Sequence, residues 1–172
     1  MRRKPFIFRT VKSLLAVALF LLVTVQWIFI PVRIVGHSMH PTLENHQVGL
    51  TFIIGKQFGI ERFDVVTVEI NGEAIIKRVI GLPNETLEYK DNKLYINDEV
   101  VEEPFLDTKY KEDVETRTEL PFTYRLKKVQ LKQDEYYLMG DNRPRSQDSR
   151  FFGPIKEDEI MSKGFMPLYM DD

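Results

Sequence analysis

The stretch VGHSMHPTLEN, residues 35–45, sets Ser38 between His37 and His40, with Glu44 and His46 close behind. A serine hydroxyl is a weak nucleophile until a neighbouring base takes its proton, so the chemistry turns on which base is within reach. In an extended segment His37 points to the face opposite Ser38. His40 shares the serine's face but stands directly before Pro41, at a turn. A metal set drawn from His37, His40, Glu44 and His46 would need these side chains on one face, and Pro41 opposes the helix that provides it. Solvated or loosely packed histidines are the simpler reading.

Downstream, AIIKRVIGLPNE offers Lys77 as another base. In a strand Lys77 shares its face with Ile75 and Val79, while Arg78 points the other way with Ile76 and Ile80. A lysine on an apolar face usually snorkels, with its stem buried and its ammonium wet. Enclosed instead, it favours the neutral amine, which accepts a proton where an ammonium cannot. Lowering its pKa from ~10.4 to 7–8 costs roughly 3–4 kcal/mol. A third stretch, GDNRPRSQDSRFFG (140–153), adds a second hydroxyl, Ser146, and an Asp148/Arg150 pair suited to fixing a turn. Arg143 and Arg145 stand where a calcium loop wants acids or asparagine. Read singly, each stretch is also compatible with an ordinary surface loop or strand.

These residues need elements to hold them. The chain has 172 residues, room for one domain with a short appendage, and 43% hydrophobic composition, which argues against wholesale disorder. It lacks cysteine, which removes disulfides and thiolate chemistry. Five of its 24 basic residues (Arg2, Arg3, Lys4, Arg9, Lys12) fall in the first dozen positions, and no acid precedes Glu44. The rest carries 19 basic against 26 acidic residues, an acidic body without the basic stripe of a nucleic-acid binder. SLLAVALFLLVTVQWIFIPV, residues 13–32, is apolar but for Ser13, Thr24 and Gln26, and its length approaches the ~30 Å of a hydrocarbon core. It predicts a transmembrane anchor between a cytoplasmic tail (1–12) and an extracytoplasmic domain (33–172), since basic residues stay inside. A cleavable leader is disfavoured because the run is long and no small-x-small site comes after it.

Beyond residue 33 the pattern predicts strands over 48–54, 64–70, 73–80, 86–101 and 135–140, with turns at Asp91-Asn92 and Asn97-Asp98. Residues 102–130, charged and carrying Pro104 and Pro121, read as a peripheral excursion. KEDEIMSKGF, near the end, reads as a possible helical turn.

Taken together and in this order, the stretches resemble the bacterial type I signal peptidases, membrane-anchored Ser-Lys proteases that cut leader peptides from exported proteins. GHSMHPTL is similar to the nucleophile box, FDVVTV to a strand box, KRVIGLPNE to the lysine box, and GDNRPRSQDSRFFG to a final box; residues 102–130 match least. The resemblance implies a β-rich fold of the signal peptidase and repressor-autoprotease type, mainly antiparallel, behind one N-terminal membrane helix. It implies Ser38 as nucleophile, Lys77 as general base, Ser146 orienting the amine through a hydrogen bond, and Asp148 with Arg150 holding that loop. The oxyanion would rest on the Ser38 backbone N–H. Neither metal nor cofactor is implied. The partners would be signal-peptide-bearing precursors, cut after small-x-small sites, and the lipid bilayer, with Met39 and Phe58 as contacts to its interface. Two departures stand out: Gly36 lies where some members carry an oxyanion-hole serine, and Asn84 replaces the usual glycine after Leu-Pro. A Ser-Lys protease dedicated to one surface protein or pilin, or an idle anchored binding domain, would share most of these features.

Overall fold

The computed structural model describes residues 10–20 and 28–168. Residues 10–20 are helical (α1), and their apolar side chains, Leu14, Leu15 and Leu19 among them, are exposed. Among the described residues no helix is long and apolar enough to cross a membrane; 21–27, the middle of the expected span, lie outside them. The span's far end differs from expectation. Phe29–Arg33 is a strand, β1, paired antiparallel with β2 (Val48–Phe52). Aromatic and β-branched residues suit a strand, and Pro31, with no N–H to donate, is tolerated because β1 is the sheet's edge.

Nine further strands are found among the described residues: β3 (Val65–Ile70), β4 (Glu73–Gly81), β5 (Thr86–Lys90), β6 (Lys93–Ile96), β7 (Glu99–Val101), β8 (Leu126–Gln130), β9 (Glu135–Met139), β10 (Ile155–Lys156) and β11 (Ile160–Pro167). They form a seven-stranded sheet in the order β1-β2-β11-β3-β4-β9-β10 and a four-stranded sheet in the order β7-β6-β5-β8. All the pairings are antiparallel. Asp91, Asn92, Asn97 and Asp98 all take positive φ, the hairpin-turn conformation that Asn and Asp tolerate. Asn84 also has a positive φ of 67°, so the Leu-Pro-Asn turn keeps the conformation glycine would have given it.

Two expectations change. KEDEI enters a short 3-10 turn at Glu157–Glu159, but the chain then straightens into β11, which pairs with both β2 and β3. The 102–130 excursion holds an α-helix, α2 (Thr108–Thr118), capped by the Asp107 side chain accepting from the Tyr110 N–H at 2.7 Å, and the edge strand β8. It also buries Val114, Phe122 and Thr123.

Strand β4 matters most for the site. Lying between β3 and β9, it is covered on both faces from Lys77 to Gly81. Val79 packs with Val66, Val68, Leu138 and Ile160, and Ile75 packs against that cluster from its rim. Ile80 joins Leu87, Tyr89, Tyr137 and Met139. A lysine in such a strand has its stem inside the protein whatever its ammonium does.

Candidate active site

The loop from β1 to β2 carries Ser38, and a small apolar knot holds it down. Ile34, Met39 and Leu43 are buried together, with Val65, Ile76 and Phe165 against them. Met39 is therefore core and not a membrane contact, whereas Phe58 is 79% exposed. From β4, Lys77 Nζ lies 2.9 Å from Ser38 Oγ and donates at 3.0 Å to the Ile76 carbonyl. Lys77 is only 3% exposed. Burial lowers its pKa to about 8, even though the carboxylates of Asp148 and Asp141 pull it upward. Among the described residues it forms no ion pair. The 2.9 Å separation serves both protonation states, since an ammonium donates to the hydroxyl and a free amine accepts from it.

The histidines lie aside. Neither His37 nor His40 is hydrogen-bonded to Ser38 Oγ; His40 Nδ1 is 3.0 Å from Glu44 and its ring meets Tyr110 edge-on. Among the described residues no group of three or more His, Asp or Glu is placed to hold a metal ion.

The 140–153 loop closes the site from behind. Asp148 is wholly buried, caps the short helix α3 (Ser149–Phe152), accepts from the Gly140 N–H at 3.0 Å and binds Arg150 at 2.7 Å through both oxygens. Arg150 reaches on to the Arg143 carbonyl at 2.7 Å. Ser146 departs from expectation: its hydroxyl is buried but has no hydrogen-bond partner, so it does not bond the Lys77 amine. It packs instead against Gly140, where an added Cβ would collide with both Ser146 Oγ and the Ser38 carbonyl.

Sequence reasoning passed over Asn142, which holds the backbone of the Ser38 loop twice. Its N–H donates to the Ser38 carbonyl at 3.0 Å, and its Nδ2 donates to the His37 carbonyl at 2.9 Å. The signal was present, since Asn142 sits in the same short stretch as Ser146. It also passed over two buried ion pairs. Arg78 grips Asp141 with two bonds, at 2.8 and 2.5 Å, and stacks on Phe105. Arg143 joins Glu103, Tyr89, Thr123 and the Gly140 carbonyl. Glu103 and Thr123 come from the excursion, which is thus tied to the 140–153 loop.

Gly36 has φ +95° and donates its N–H to Asn45 Oδ1 at 2.9 Å, with open space where a side chain would start. The backbone conformation, not crowding, favours glycine there. The Ser38 N–H donates to no acceptor among the described residues. Beside Ser38 and Lys77 runs a cleft of about 300 Å³ whose walls include Val32, Ile34, Val35, Ile75 and Ile76.

A hydroxyl held against a dry amine, beside an apolar cleft, suits acyl transfer, and comparison with known proteins agrees. The family model described as "Signal peptidase, peptidase S26" matches residues 7–169. Signal peptidase I V of Bacillus subtilis (strain 168) is 39% identical over 140 residues, covering 78% of this chain and 82% of the relative. Signal peptidase IB of Staphylococcus aureus (strain Mu50) is 39% identical over 159 residues, covering 87% and 83%. A crystal structure of a signal peptidase I from Enterococcus faecalis V583 superposes with a TM-score of 0.55 at 34% identity, over 60% of this chain and 95% of that one. With a family match over residues 7–169 and relatives aligned over most of their own length, the chain belongs to the signal peptidase family, peptidase S26.

Proposed function

We propose that Ser38 and Lys77 form the catalytic dyad of this signal peptidase. The family is membrane-associated, and its members are serine endopeptidases that remove signal peptides from exported precursors. In this reading Lys77 takes the proton of Ser38 as Oγ attacks the scissile carbonyl. The amide bond breaks, the amine of the mature chain leaves with the proton from Lys77, and an ester links the signal peptide to Ser38. Lys77 then draws a proton from water, the hydroxide cleaves the ester, and Ser38 Oγ leaves with that proton from Lys77, which restores both groups. The Ser38 N–H would face the developing oxyanion, and removal of such a donor costs ~2.7–4 kcal/mol where nothing replaces it. The branched side chains lining the cleft leave space for small residues before the cut.

The observation that carries the assignment is the 2.9 Å contact between a half-buried hydroxyl and an amine whose pKa is lowered to about 8 by burial. Asn142, Asp148 and Arg150 would position the dyad. Ser146, which lacks a bond to Lys77, would support it through packing against Gly140. We also place an anchor in the apolar run, ending before Phe29, with the basic tail cytoplasmic and the catalytic domain outside. Its support is the charge bias of the first dozen residues and the uncovered apolar surface of α1. Confining enzyme and precursor to one bilayer face raises their effective concentration.

The test is cleavage of an exported precursor by membranes carrying each variant. Ser38→Ala and Lys77→Ala abolish it while the protein still inserts, whereas His37→Ala and His40→Ala remain near wild type. An inactive histidine variant beside an active Lys77→Ala would reverse the assignment.

A further inference from the structure

The four-stranded sheet ends in β7 on one side and β8 on the other, and among the described residues neither outer edge pairs with another strand. An open edge is a template for a further strand, and proteins commonly blunt it with charge. Here the two edges carry charge of opposite sign. Residues 98–107, which include β7, hold five acids and no base; residues 120–133, which include β8, hold four bases and no acid. Part of that charge is matched within the molecule: Asp98 meets Lys128, Glu103 meets Arg143, and Lys132 meets Glu135. Glu99 and Glu102 on one side, and Arg125 and Lys127 on the other, are exposed and form no ion pair among the described residues. There is room beside β7 as well, a hollow of about 400 Å³ bounded by that strand and α2 and lined by four glutamates and two lysines.

We infer that the two edges fit each other, so that β8 of one copy of this chain pairs with β7 of a second copy. Blunting alone is served by charge of either sign and does not require the two edges to be opposite. The topology supplies the right direction. The sheet has four strands, each antiparallel to its neighbour, so β7 and β8 run in opposite directions. Continuing the sheet into a second copy therefore brings β7 antiparallel to β8, with acids facing bases across the join. A two-fold contact between like edges sets bases against bases or acids against acids, which is unfavourable. The join is thus heterologous, a different patch on each copy.

The chain lacks cysteine, so single-cysteine copies report such a contact cleanly. One full-length copy carries Val100→Cys and another, differently tagged, carries Gln130→Cys. Both residues are exposed, and the register puts their side chains on the same face of the sheet. Mixed in detergent micelles and treated with a short bismaleimide, the two should join to each other in about three- to fivefold excess over random mixing. Lys127→Glu in the Gln130→Cys copy should remove the excess, and Glu102→Lys in the other copy should restore it. Random mixing of the products overturns the inference, as does an excess that Lys127→Glu leaves in place or Glu102→Lys fails to restore; the charges then only blunt the edges. A Gln130→Cys copy that joins chiefly to itself overturns it too, in favour of a two-fold contact. Precursor cleavage by these variants should stay near the wild-type rate, which checks their folding and leaves the dyad a separate question.

Discussion

Lys77 and Arg143 are both nearly inaccessible, at 3% and 1% exposure, yet their surroundings differ. Arg143 is surrounded by acceptors: Glu103 at 2.5 Å, the Tyr89 hydroxyl at 2.8 Å, the Gly140 carbonyl at 3.1 Å and Thr123 at 3.3 Å. Its charge is matched, and the network ties the second sheet and the excursion to the 140–153 loop. Lys77 has one hydroxyl and one carbonyl, and among the described residues no carboxylate within ion-pair distance. Nearby, Ser146 Oγ and Asn142 Oδ1 are buried without partners. A paired buried cation holds structure, while an underpaired one stores free energy in a perturbed proton affinity. That is the condition a general base requires.

The largest effect should come from breaking the paired side. Glu103→Ala leaves Arg143 buried without its carboxylate and should cost about 3–5 kcal/mol in urea unfolding. A loss below 1 kcal/mol would mean the network is ornamental. Lys77→Met should act in the opposite direction. Because the folded pKa is about 8 and the unfolded one 10.5, the unfolded chain binds the extra proton between those values. Stability therefore rises with pH across that window, and below it the wild type carries a penalty of about 3 kcal/mol. The variant should be more stable than wild type by up to that amount at pH 7, with the gap closing by pH 10.5. An equal or less stable variant at pH 7 would show that burial does not strain the lysine.

Smaller changes test how the two regions are joined. Gly140→Ala pushes on both Ser38 and Ser146, and a displacement near 1 Å is enough for a loss of about 100-fold in kcat/KM. Near-normal cleavage would mean the loop yields without moving the serine. Gly36→Ala meets open space and only backbone strain at φ +95°, so about 1 kcal/mol of stability is expected to go, with cleavage largely kept.

How legible these regions were in the sequence depends on the range of the interactions. Local signals read well: the Asp-Asn and Asn-Asp hairpin turns, and the alternation that set Lys77 beside Ile75 and Val79. The start of β1 was hidden because one apolar run feeds both α1 and a strand, so no composition change marks the boundary. Strand β11 begins among the charges of KEDEI, and only its pairing with β2 and β3 reveals it. Helix α2 buries Val114 alone, too little for an apolar stripe to show. The Arg143–Glu103 pair joins residues 40 apart, beyond any local pattern. Four short stretches in order located Ser38, Lys77 and the closing loop, but not how Ser146 packs or that Asn142 clamps the Ser38 loop.

The proposed dyad depends on the proton affinity of one amine, which an NMR titration reads directly. With lysine labelled at Cε in the full-length protein, the resonance absent from Lys77→Met should titrate with a midpoint near pH 8. A midpoint at 10 or above would mean that Lys77 stays charged at working pH and cannot take the proton of Ser38.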